Sequence, residues 1–536
     1  MSAPIEAETV GELLRKAAAT WGDAEAVVGD GTRLSFHELE ARSRALARRL
    51  LGRGVAKHTH VGISFGNNPD FLVSLVAVSR IGAVAVPIST FAPGRELLRL
   101  LRYGDLAAVL TRRWVVGVDQ LARLTNAIPG LADAKGPVLT LPAVPSLRWI
   151  ELTDADDDSP AWVTAPEDDG PAAPVDDELF DALEQDVDPT DVALMIHTSG
   201  TTSDPKGVPH LHDTVCFRAR YLAERMQFRP GDRTYSSHVL FWIGGLTMSF
   251  FTSIAAGGTS VWCERFDAGE VLALIEQERL TRLAIYPHQV EQLLEHPAFA
   301  STDRSSLQVA DARLLTTPGA GYIRTPEGHR MALGMSETFG PFSWGSGGTS
   351  PIGPVEDVQP GLEVRVVDEQ NRPVADGETG EIVLRGRGVT PGYYKRPRHV
   401  AFDVDGWFHT GDRGRVDGGA IHFLGRMTEM IKTSGANVAP AEVIDALLAL
   451  DGVREAYVLP LADPVRGEVV AAAVVLDEGS PLDAVTIRAE LKKDLSPYKI
   501  PSVIAFFRSE EIPWTPTFKV RRGQLTEMIV QRAAAG

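Results

Sequence analysis

The sequence predicts an α/β protein with a large N-terminal domain of two doubly wound mixed sheets plus a small β-barrel-like unit, followed by a small α+β C-terminal domain. A chain of 536 residues is too long for one hydrophobic core, so two or more domains are expected. In the first part of the chain, short apolar runs alternate with helical patterns, which is typical of parallel sheets covered by helices. Further along, the apolar residues alternate with period two, which indicates antiparallel strands.

The first part begins with an amphipathic helix starting near Val10 and a second one from Phe36 to Leu51, separated by a hairpin around Gly29-Asp30-Gly31. Two series of strands and helices follow. The first has strands at Val61–Phe65, Ala83–Pro87, Ala107–Leu110 and Pro137–Leu139, and a helix at Asp70–Ile81. The second has strands at Thr234–Ser237, Thr259–Trp262 and Leu283–Tyr286, a helix ending at Ala255, and a helix at Ala268–Arg279. We expect each series to build one sheet.

The rest of the chain predicts two smaller units. Leu362–Val367 and Gly380–Arg385 read as antiparallel strands of the barrel-like unit. From about residue 428 the predicted elements are helices at Pro440–Leu450 and Leu482–Leu495 and strands at Glu455–Val458 and Val469–Val475. A unit of this size can fold alone. We therefore expect domains at residues 1–427 and 428–536.

Charge and composition exclude several classes of protein. A formal net charge of −18 disfavours non-specific binding to nucleic acid or to an anionic membrane. Residues 151–190 contain no Lys or Arg and many carboxylates, so we expect a solvated surface insertion there. The two cysteines, Cys216 and Cys263, argue against a disulfide framework and for a reducing compartment, the cytoplasm. We see neither a signal peptide nor an apolar run long enough to span a membrane.

The segment from Thr198 to Gly207 is the first candidate site. It follows the apolar run Val192–Ile196, which reads as a buried strand, and it consists of small and hydroxyl residues with one lysine, Lys206. Such a loop can hold phosphate, because backbone N–H groups and hydroxyls point at the anion and the lysine adds a positive charge. It differs from the GxxxxGK[ST] nucleotide loop, because its lysine precedes the last glycine. A flexible linker is the alternative interpretation.

Four further stretches accompany this loop: Gly334–Thr338, Gly406–Asp412, Gly425–Glu442 and Pro513–Arg522. Each alone has an ordinary explanation as turn or surface residues. Together with the loop, in this order and at these separations, they resemble the adenylate-forming superfamily. That superfamily includes acyl-CoA synthetases, aryl-CoA ligases, the adenylation domains of peptide synthetases and firefly-type luciferase. The resemblance covers residues 10 to 525, approximately, and favours the fatty-acid–CoA ligase branch.

The resemblance implies ATP, Mg²⁺ and coenzyme A as cofactors, and it implies which residues bind the nucleotide. The β- and γ-phosphates would be held by the loop residues Thr198, Ser199, Gly200, Thr201, Thr202 and Lys206. Gly319 and Ala320 match the adenine-side segment, and Gly334, Met335 and Ser336 precede the glutamate of the second motif, with the Ser336 hydroxyl on the α-phosphate. Asp412 and Arg426 match the pair that binds the ribose hydroxyls.

Glu337, Lys206 and Lys519 are the expected catalytic residues. The resemblance implies that Glu337 helps hold magnesium and that Lys519 bridges the substrate carboxylate and the α-phosphate. A carboxylate attacking a phosphate brings two anions together, so cations and backbone donors are needed and a protein nucleophile is not. Accordingly, we expect His238, His409 and His422 to be structural.

In such enzymes the small C-terminal domain swings about a hinge to admit the thiol of coenzyme A. Thr428 stands at the hinge position, where the family usually has Asp or Lys. Phe518 replaces the customary glycine before the catalytic lysine. Thr428 therefore bears on how the domain rotates. A bulky residue restricts the backbone more than glycine does, so Phe518 bears on how Lys519 enters the site.

The acyl pocket is expected to be lined by Phe241, Trp242, Gly244, Gly245 and Phe339. These residues are apolar or small, and none would bind an amino group or a second carboxyl group. We therefore predict a medium- to long-chain or alicyclic carboxylic acid as substrate. Two alternatives stay open: a ligase that loads an acyl carrier protein or stops at the adenylate, and an impaired protein that only binds acyl nucleotides. The oligomeric state is left open.

Overall fold

The computed structural model describes residues 3–166, 175–198, 206–316, 330–346, 353–427, 430–513 and 520–535. In residues 3–198 the helices are α1 Val10–Trp21, α2 Phe36–Gly52, α3 Pro69–Ser79, α4 Gly94–Tyr103, α5 Gln120–Ala127 and α6 Asp177–Gln185. The strands of this part are β1 Glu25–Gly29, β2 Thr32–Ser35, β3 His60–Ser64, β4 Val84–Pro87, β5 Ala108–Thr111, β6 Trp114–Val115, β7 Val118–Asp119, β8 Trp149–Leu152, β9 Val163–Thr164 and β10 Val192–Thr198.

In residues 206–427 the helices are α7 His212–Arg225, α8 Ile243–Gly245, α9 Phe251–Ala256, α10 Ala268–Gln277 and α11 Pro287–Glu295. The strands are β11 Lys206–Leu211, β12 Arg233–Ser236, β13 Thr259–Trp262, β14 Arg282–Ala284, β15 Arg330–Met335, β16 Gly340–Ser346, β17 Gly353–Pro354, β18 Leu362–Val367, β19 Thr379–Gly386, β20 Phe408–Asp417 and β21 Ala420–Arg426.

In residues 430–535 the helices are α12 Pro440–Leu448, α13 Ala484–Leu491 and α14 Arg522–Ala535. The strands are β22 Ile431–Thr433, β23 Ala436–Val438, β24 Val453–Asp463, β25 Gly467–Leu476 and β26 Val503–Phe507. We call the described residues up to 427 the N-terminal unit and those from 430 the C-terminal unit. The predicted boundary at 427/428 adjoins residues outside the described ranges, so the division 1–427 and 428–536 stays a prediction.

Two sheets form the centre of the N-terminal unit. One has the order β11-β10-β4-β3-β5-β8-β9 and is parallel except where β11 pairs with β10. The other has the order β14-β12-β13-β1-β2 and is parallel except at β2. Helix α3 is buried at every residue except Asp70, and it contacts strands of both sheets. Its sequence is apolar all round, as expected for a helix enclosed on all sides.

The remaining sheets confirm the predicted fold class. Strands β17 to β21 form an antiparallel sheet in the order β17-β21-β20-β19-β18. The C-terminal unit is built on β23-β22-β25-β24, with β26 parallel to β25. Alternate residues of β25 enter two cores, Val470 and Ala472 on one face and Val469 and Ala471 on the other. Helices α12 and α13 cover the first face and α14 covers the second.

Two sequence predictions about this fold are wrong. Pro137–Leu139 is not a strand, because Val138 is 81 % exposed and the strand that extends the sheet is β8, which pairs with β5. The acidic stretch is not merely a solvated insertion, because two of its carboxylates are buried. Glu151 binds Arg49 and Arg53, and Glu184 binds the guanidinium of Arg80. In the described residues, no helix combines the length and the apolar character needed to cross a bilayer.

Candidate active site

A cavity of about 570 Å³ lies between the two units. From the N-terminal unit it is lined by strand ends and loops, including Thr198, Lys206, Phe241, Trp242, Gly244, Tyr286, Gly334, Met335, Ser336, Glu337, Tyr393, Thr410 and Gly411. From the C-terminal unit it is lined by Met430, Lys432, Gly435, Ala436, Asn437, Glu442, Tyr498 and Lys499. The parallel neighbours β4 and β10 end at this cavity, at Pro87 and Thr198. The carboxyl ends of strands are where ligands bind in open α/β sheets.

The ends of the predicted phosphate loop are fixed by a strand pair. Thr198, at the end of β10, is the register partner of Lys206, at the start of β11, and His197 is the partner of Gly207. The segment between them therefore joins two hydrogen-bonded strands. This arrangement argues against the linker interpretation, and it places Thr198 and Lys206 together at the cavity.

Glu337 lies in the short turn between β15 and β16, and Tyr393 connects it to Lys206. The hydroxyl of Tyr393 donates to Glu337 Oε1 at 2.6 Å, and Lys206 Nζ lies 5.0 Å from the centre of the Tyr393 ring. The backbone N–H of Thr390 also donates to the Glu337 carbonyl at 2.7 Å. Tyr393 was not predicted from the sequence, because nothing in the spacing of Gly392-Tyr393-Tyr394 connects it to a glutamate 56 residues earlier.

The turn after Glu337 explains why Phe339 does not line the cavity as predicted. Phe339 adopts a positive φ of 48°, is fully buried, and packs its ring 4.6 Å from that of His210. The buried guanidinium of Arg218 donates to the Phe339 carbonyl at 3.3 Å, and it also binds Pro341 and Gln359. Burial lowers the pKa of Arg218 to about 10. Arg218 thus fixes the backbone behind Glu337, a role that the sequence did not reveal.

Phe241, Trp242 and Gly244 line the cavity, as expected for an acyl pocket, whereas Gly245 is not among the lining residues. A side chain at Gly245 would place a Cβ 2.5 Å from the carbonyl oxygen of Val239, so the glycine serves close backbone packing. The Trp242 ring lies 5.4 Å from that of Phe241 and 5.8 Å from that of Tyr498. One wall of the cavity is therefore aromatic and contains a residue of the C-terminal unit.

Asp412 and Arg426 are register partners on β20 and β21, so the fold brings together the pair that the resemblance assigns to the ribose. Asp412 is buried, and its neighbours Thr410 and Gly411 line the cavity. The adjacent turn is held by Glu381, which accepts from Gly411 N at 2.7 Å and from the His409 ring at 2.8 Å. These contacts agree with a structural role for His409.

His238 also lies at the cavity. Its Nδ1 lies 3.0 Å from Ser236 Oγ, and its ring lies 4.7 Å from that of Tyr286. Burial lowers its pKa to about 4, so it is neutral near pH 7. Among the described residues, no carboxylate contacts His238, so no third member of a catalytic triad accompanies it there.

Several predicted site residues lie outside the described residues: Ser199, Gly200, Thr201, Thr202, Gly319, Ala320, Thr428 and Lys519. Arg426 is described in its backbone only. Their roles stay predictions. Val520, which follows Lys519, packs on the α14 face of the C-terminal sheet, whereas Tyr498 packs on the opposite face.

The residues at the cavity fit a magnesium ion that arrives with a nucleotide. In the described ranges, no three His, Cys, Asp or Glu side chains lie close enough together to hold a metal ion by themselves. Mg²⁺ usually keeps several waters and takes one or two carboxylates together with substrate phosphates. Glu337, a carboxylate beside Lys206 and Thr198 at the cavity, suits that kind of site.

Comparisons with known proteins cover most of the chain. The model of the AMP-binding enzyme family matches residues 14–394, and that of the AMP-binding enzyme C-terminal domain matches residues 442–519. A feruloyl-CoA synthase from Amycolatopsis sp. is 30% identical over 94% of this chain and 95% of its own length. An indoleacetate–CoA ligase from Aromatoleum aromaticum is 30% identical over 93% and 94%.

Among solved structures, the amide bond synthetase McbA from Marinactinospora thermotolerans superposes with a TM-score of 0.74. It is 24% identical, covering 96% of this chain and 99% of that one, so it shows a shared fold. With both units matched over most of their length, the chain belongs to the AMP-binding enzymes of the adenylate-forming superfamily, in the acyl-CoA synthetase branch, whose members are AMP-forming acid–thiol ligases.

Proposed function

We propose that the protein activates an apolar carboxylic acid as its acyl-adenylate, with release of pyrophosphate from ATP, and then transfers the acyl group to coenzyme A. The observation that carries this proposal is the cavity between the two units. It brings Thr198 and Lys206, at the ends of the phosphate-type loop, to the same space as Glu337 and the aromatic wall of Phe241 and Trp242.

The proposed roles follow from charge. Lys206 and the donors of the Thr198–Lys206 loop would hold the β- and γ-phosphates, because a lysine and backbone N–H groups bind anions. Glu337 would hold Mg²⁺, which supplies charge neutralisation on the phosphates when it is bound. Asp412 and Arg426 would bind the ribose, and Lys519 would bridge the carboxylate and the α-phosphate. Thr428 would serve as the hinge of a mobile C-terminal unit.

Exclusion of water strengthens these interactions. Tyr286, Trp242 and Tyr498 enclose the cavity from both units, and ion pairs in such surroundings are stronger than in water. Holding the acid against the α-phosphate adds the effect of proximity, which is worth up to about 7–11 kcal/mol in favourable cases. The chain would therefore need no covalent intermediate on the protein.

The acid itself is proposed from the wall of the cavity. Phe241, Trp242 and Gly244 offer apolar surface, which suits a medium- to long-chain or alicyclic acid. An aromatic acid is the second candidate, because two steeply inclined rings can pack against a third, and the planes of Phe241 and Trp242 are inclined at 71°. The names of the relatives, feruloyl-CoA synthase and indoleacetate–CoA ligase, also favour ring-containing acids.

Pyrophosphate release with a panel of acids tests the proposal, with and without coenzyme A. The panel contains linear acids of increasing length, alicyclic acids and aryl acids. We expect release with at least one apolar acid and an acyl-CoA product when coenzyme A is present. Release without an acyl-CoA product would favour a carrier-protein ligase or an enzyme that stops at the adenylate. No release with any acid would favour a protein that only binds acyl nucleotides.

A further inference from the structure

Lys499 of the C-terminal unit lies between two carboxylates, one from each unit. Its Nζ is 2.7 Å from Glu96 Oε1 in α4 and 2.9 Å from Glu442 Oε1 in α12. The Lys499 side chain is 3% exposed. The other oxygen of Glu96 accepts from Ser496 Oγ at 2.8 Å. Both oxygens of a carboxylate in the N-terminal unit therefore bind the C-terminal unit.

Two weaker contacts flank this buried ion pair. On the cavity side, the ring of Tyr498 packs against Trp242 and against Phe91, at 5.8 and 6.1 Å between ring centres. On the solvent side, Arg95 Nη1 lies 3.4 Å from Asp494 Oδ2, and both side chains are substantially exposed. The contact thus runs from an apolar edge at the cavity, through a buried pair, to a solvated pair at the rim.

The buried pair of Lys499 and Glu96 constrains the relative position of the two units more than it adds to the free energy of unfolding. Desolvation of two charges offsets most of their attraction, so buried ion pairs contribute little net free energy but require their partners to lie in one arrangement. Burial raises the pKa of Glu442, which shows how strongly this site is shielded from water. Lys499 would lose Glu96 whenever the C-terminal unit turned away, so the pair marks one pose of that unit.

In this pose the hairpin β22–β23 faces the cavity. Lys432, Gly435 and Asn437 line it, and Gly435 approaches Tyr286 so closely that a Cβ would lie 2.6 Å from the ring. Gly435 also has a positive φ of 82°, so both its space and its backbone favour glycine. The hairpin therefore packs on the N-terminal unit at a second point, next to the proposed acyl-adenylate.

We propose that Lys499 and Glu96 are positioning residues that hold the C-terminal unit in the pose used for acyl transfer to the thiol. The inference rests on the proposed function. In that step the thiol sulfur bonds to the acyl carbon, the bond from that carbon to the phosphate oxygen breaks, AMP leaves, and the thiol proton passes to water. In this pose Val520, the residue after Lys519, packs on the sheet face opposite to Tyr498. Adenylate formation, which in the proposed function brings Lys519 to the cavity, would therefore use another pose and would not depend on the pair.

Separate measurement of the two half-reactions tests this assignment in the full-length protein. The variants are Glu96→Gln and Lys499→Met, and the control is Lys493→Met. Lys493 is exposed and, among the described residues, pairs only with Glu490 of its own unit. Acyl transfer from purified acyl-adenylate to coenzyme A is followed in a single turnover, and adenylate formation is followed by pyrophosphate release without coenzyme A.

We expect acyl transfer to fall by about tenfold or more in both variants, because a buried partner is lost, while adenylate formation stays within about twofold. The double variant should lose no more than either single one, because both act through one contact. Lys493→Met should leave both steps unchanged. Equal losses in the two half-reactions, or no loss of transfer, would overturn the proposal.

A distance measurement keeps the test independent of activity. Arg95→Cys and Asp494→Cys introduce thiols on either side of the rim contact, and a short bis-maleimide joins them when the units hold this pose. The native Cys216 and Cys263 are buried. We expect adding Lys499→Met to lower the cross-linking yield severalfold. An unchanged yield would refute the role of Lys499 whatever acids the protein activates, whereas failure of the acid panel alone would refute only the proposed function.

Discussion

Arg80 and Lys499 are both buried cations between two carboxylates, yet they connect different parts of the molecule. Arg80 in the N-terminal unit binds Glu40 at 2.6 Å and Glu184 at 2.8 Å, and it donates to Ser43. Lys499 has the same kind of surroundings, with Glu96, Glu442 and the nearby Ser496. All contacts of Arg80 lie within one unit, whereas the contacts of Lys499 lie in both.

The difference indicates what each cluster is for. Helices α2, α3 and α6 must pack together in any folded state, so breaking the Arg80 cluster amounts to unfolding. Residues that join two units can separate without unfolding either one, so the Lys499 cluster acts on the relative position of the units. Similar buried chemistry therefore serves stability in one place and, in our proposal, the choice of pose in the other.

The largest expected effect is that of Arg80→Met. It leaves the buried Glu184 and the half-buried Glu40 without this cation, and the loss of a partner from a buried pair costs about 3–5 kcal/mol. Urea unfolding of the N-terminal unit measures it. The control is Arg15→Met, because Arg15 binds the same Glu184 from a 44% exposed position. If both variants unfold at the same urea concentration, the Arg80 cluster does not hold the fold.

The second-largest effect concerns the buried imidazole of His210 and the pH dependence of the free energy of unfolding. Neither ring nitrogen of His210 has a hydrogen-bond partner in the described structure, and burial lowers its pKa to about 3. Below pH 6.5 the unfolded chain binds a proton there that the folded chain does not. Stability therefore falls as the pH falls from 6.5 towards 3, by up to about 1.4 kcal/mol per pH unit.

His210→Phe should remove this contribution, because the ring stays and the titrating nitrogens are lost. Between pH 6.5 and 5, the free energy of unfolding of His210→Phe should therefore fall by about 2 kcal/mol less than that of the unmodified protein. Melting temperatures at several pH values measure it, with His37→Phe, an exposed histidine beside Asp23, as the control. A slope identical to that of the unmodified protein would mean that His210 is protonated in the folded state.

A smaller effect, on catalytic activity, is expected from the neutral hydroxyl of Tyr393, which binds the carboxylate of Glu337 at the cavity. Tyr393→Phe removes the hydroxyl that binds Glu337 and keeps the ring beside Lys206. We expect activity at limiting Mg²⁺ to fall by about tenfold, the size of a hydrogen bond to a charged group, with little change in the KM for ATP. Tyr393→Leu also removes the ring beside Lys206, so it should raise the KM for ATP as well.

The control for Tyr393 is its neighbour. Tyr394→Phe removes a hydroxyl that donates to Asp105, and Tyr394 does not line the main cavity in the described structure. It should leave the Mg²⁺ dependence unchanged. Equal effects of the two substitutions would show that the segment, and not the Glu337 contact, matters.

The smallest effect is expected at the rim. Arg95→Ala removes the exposed pair with Asp494, and such pairs contribute about 0–1 kcal/mol. Acyl transfer should change by less than about twofold. A loss as large as that of Lys499→Met would mean that the whole edge of the contact, and not its buried pair, selects the pose.

The strands and helices of the sheets were largely predictable from local pattern. Val192–Ile196 read as a strand because it is a short apolar run before a turn, and Leu362–Val367 because it alternates. Pro137–Leu139 has a similar composition but belongs to none of the sheets of the described chain, and pairing is not a local property. The prediction of a solvated insertion at residues 151–190 was wrong for a related reason. The arginines that pair with its buried carboxylates, Arg49, Arg53 and Arg80, are distant in sequence.

The residues of the candidate site were also predictable only where a local pattern carries them. Runs of contiguous residues, such as Gly334–Glu337 and the loop from Thr198 to Lys206, can be read from the sequence because one short segment carries the chemistry. Tyr393, Arg218 and Tyr498 could not be, because each acts on a residue that only the fold brings near. Phe339 was misplaced for the same reason, since the turn at a positive φ directs its ring to His210.

Local sequence patterns were thus enough to predict the alternating α/β architecture, the smaller C-terminal unit and the segments whose residue types suit a nucleotide and an acid. Periodicity and the order of contiguous motifs are enough for those conclusions. The folded structure was needed to show which side chains meet, that Tyr393 contacts both Lys206 and Glu337, and that Lys499 binds a carboxylate of each unit. Such contacts depend on the packing of elements hundreds of residues apart, and no local pattern encodes a distance between two distant side chains.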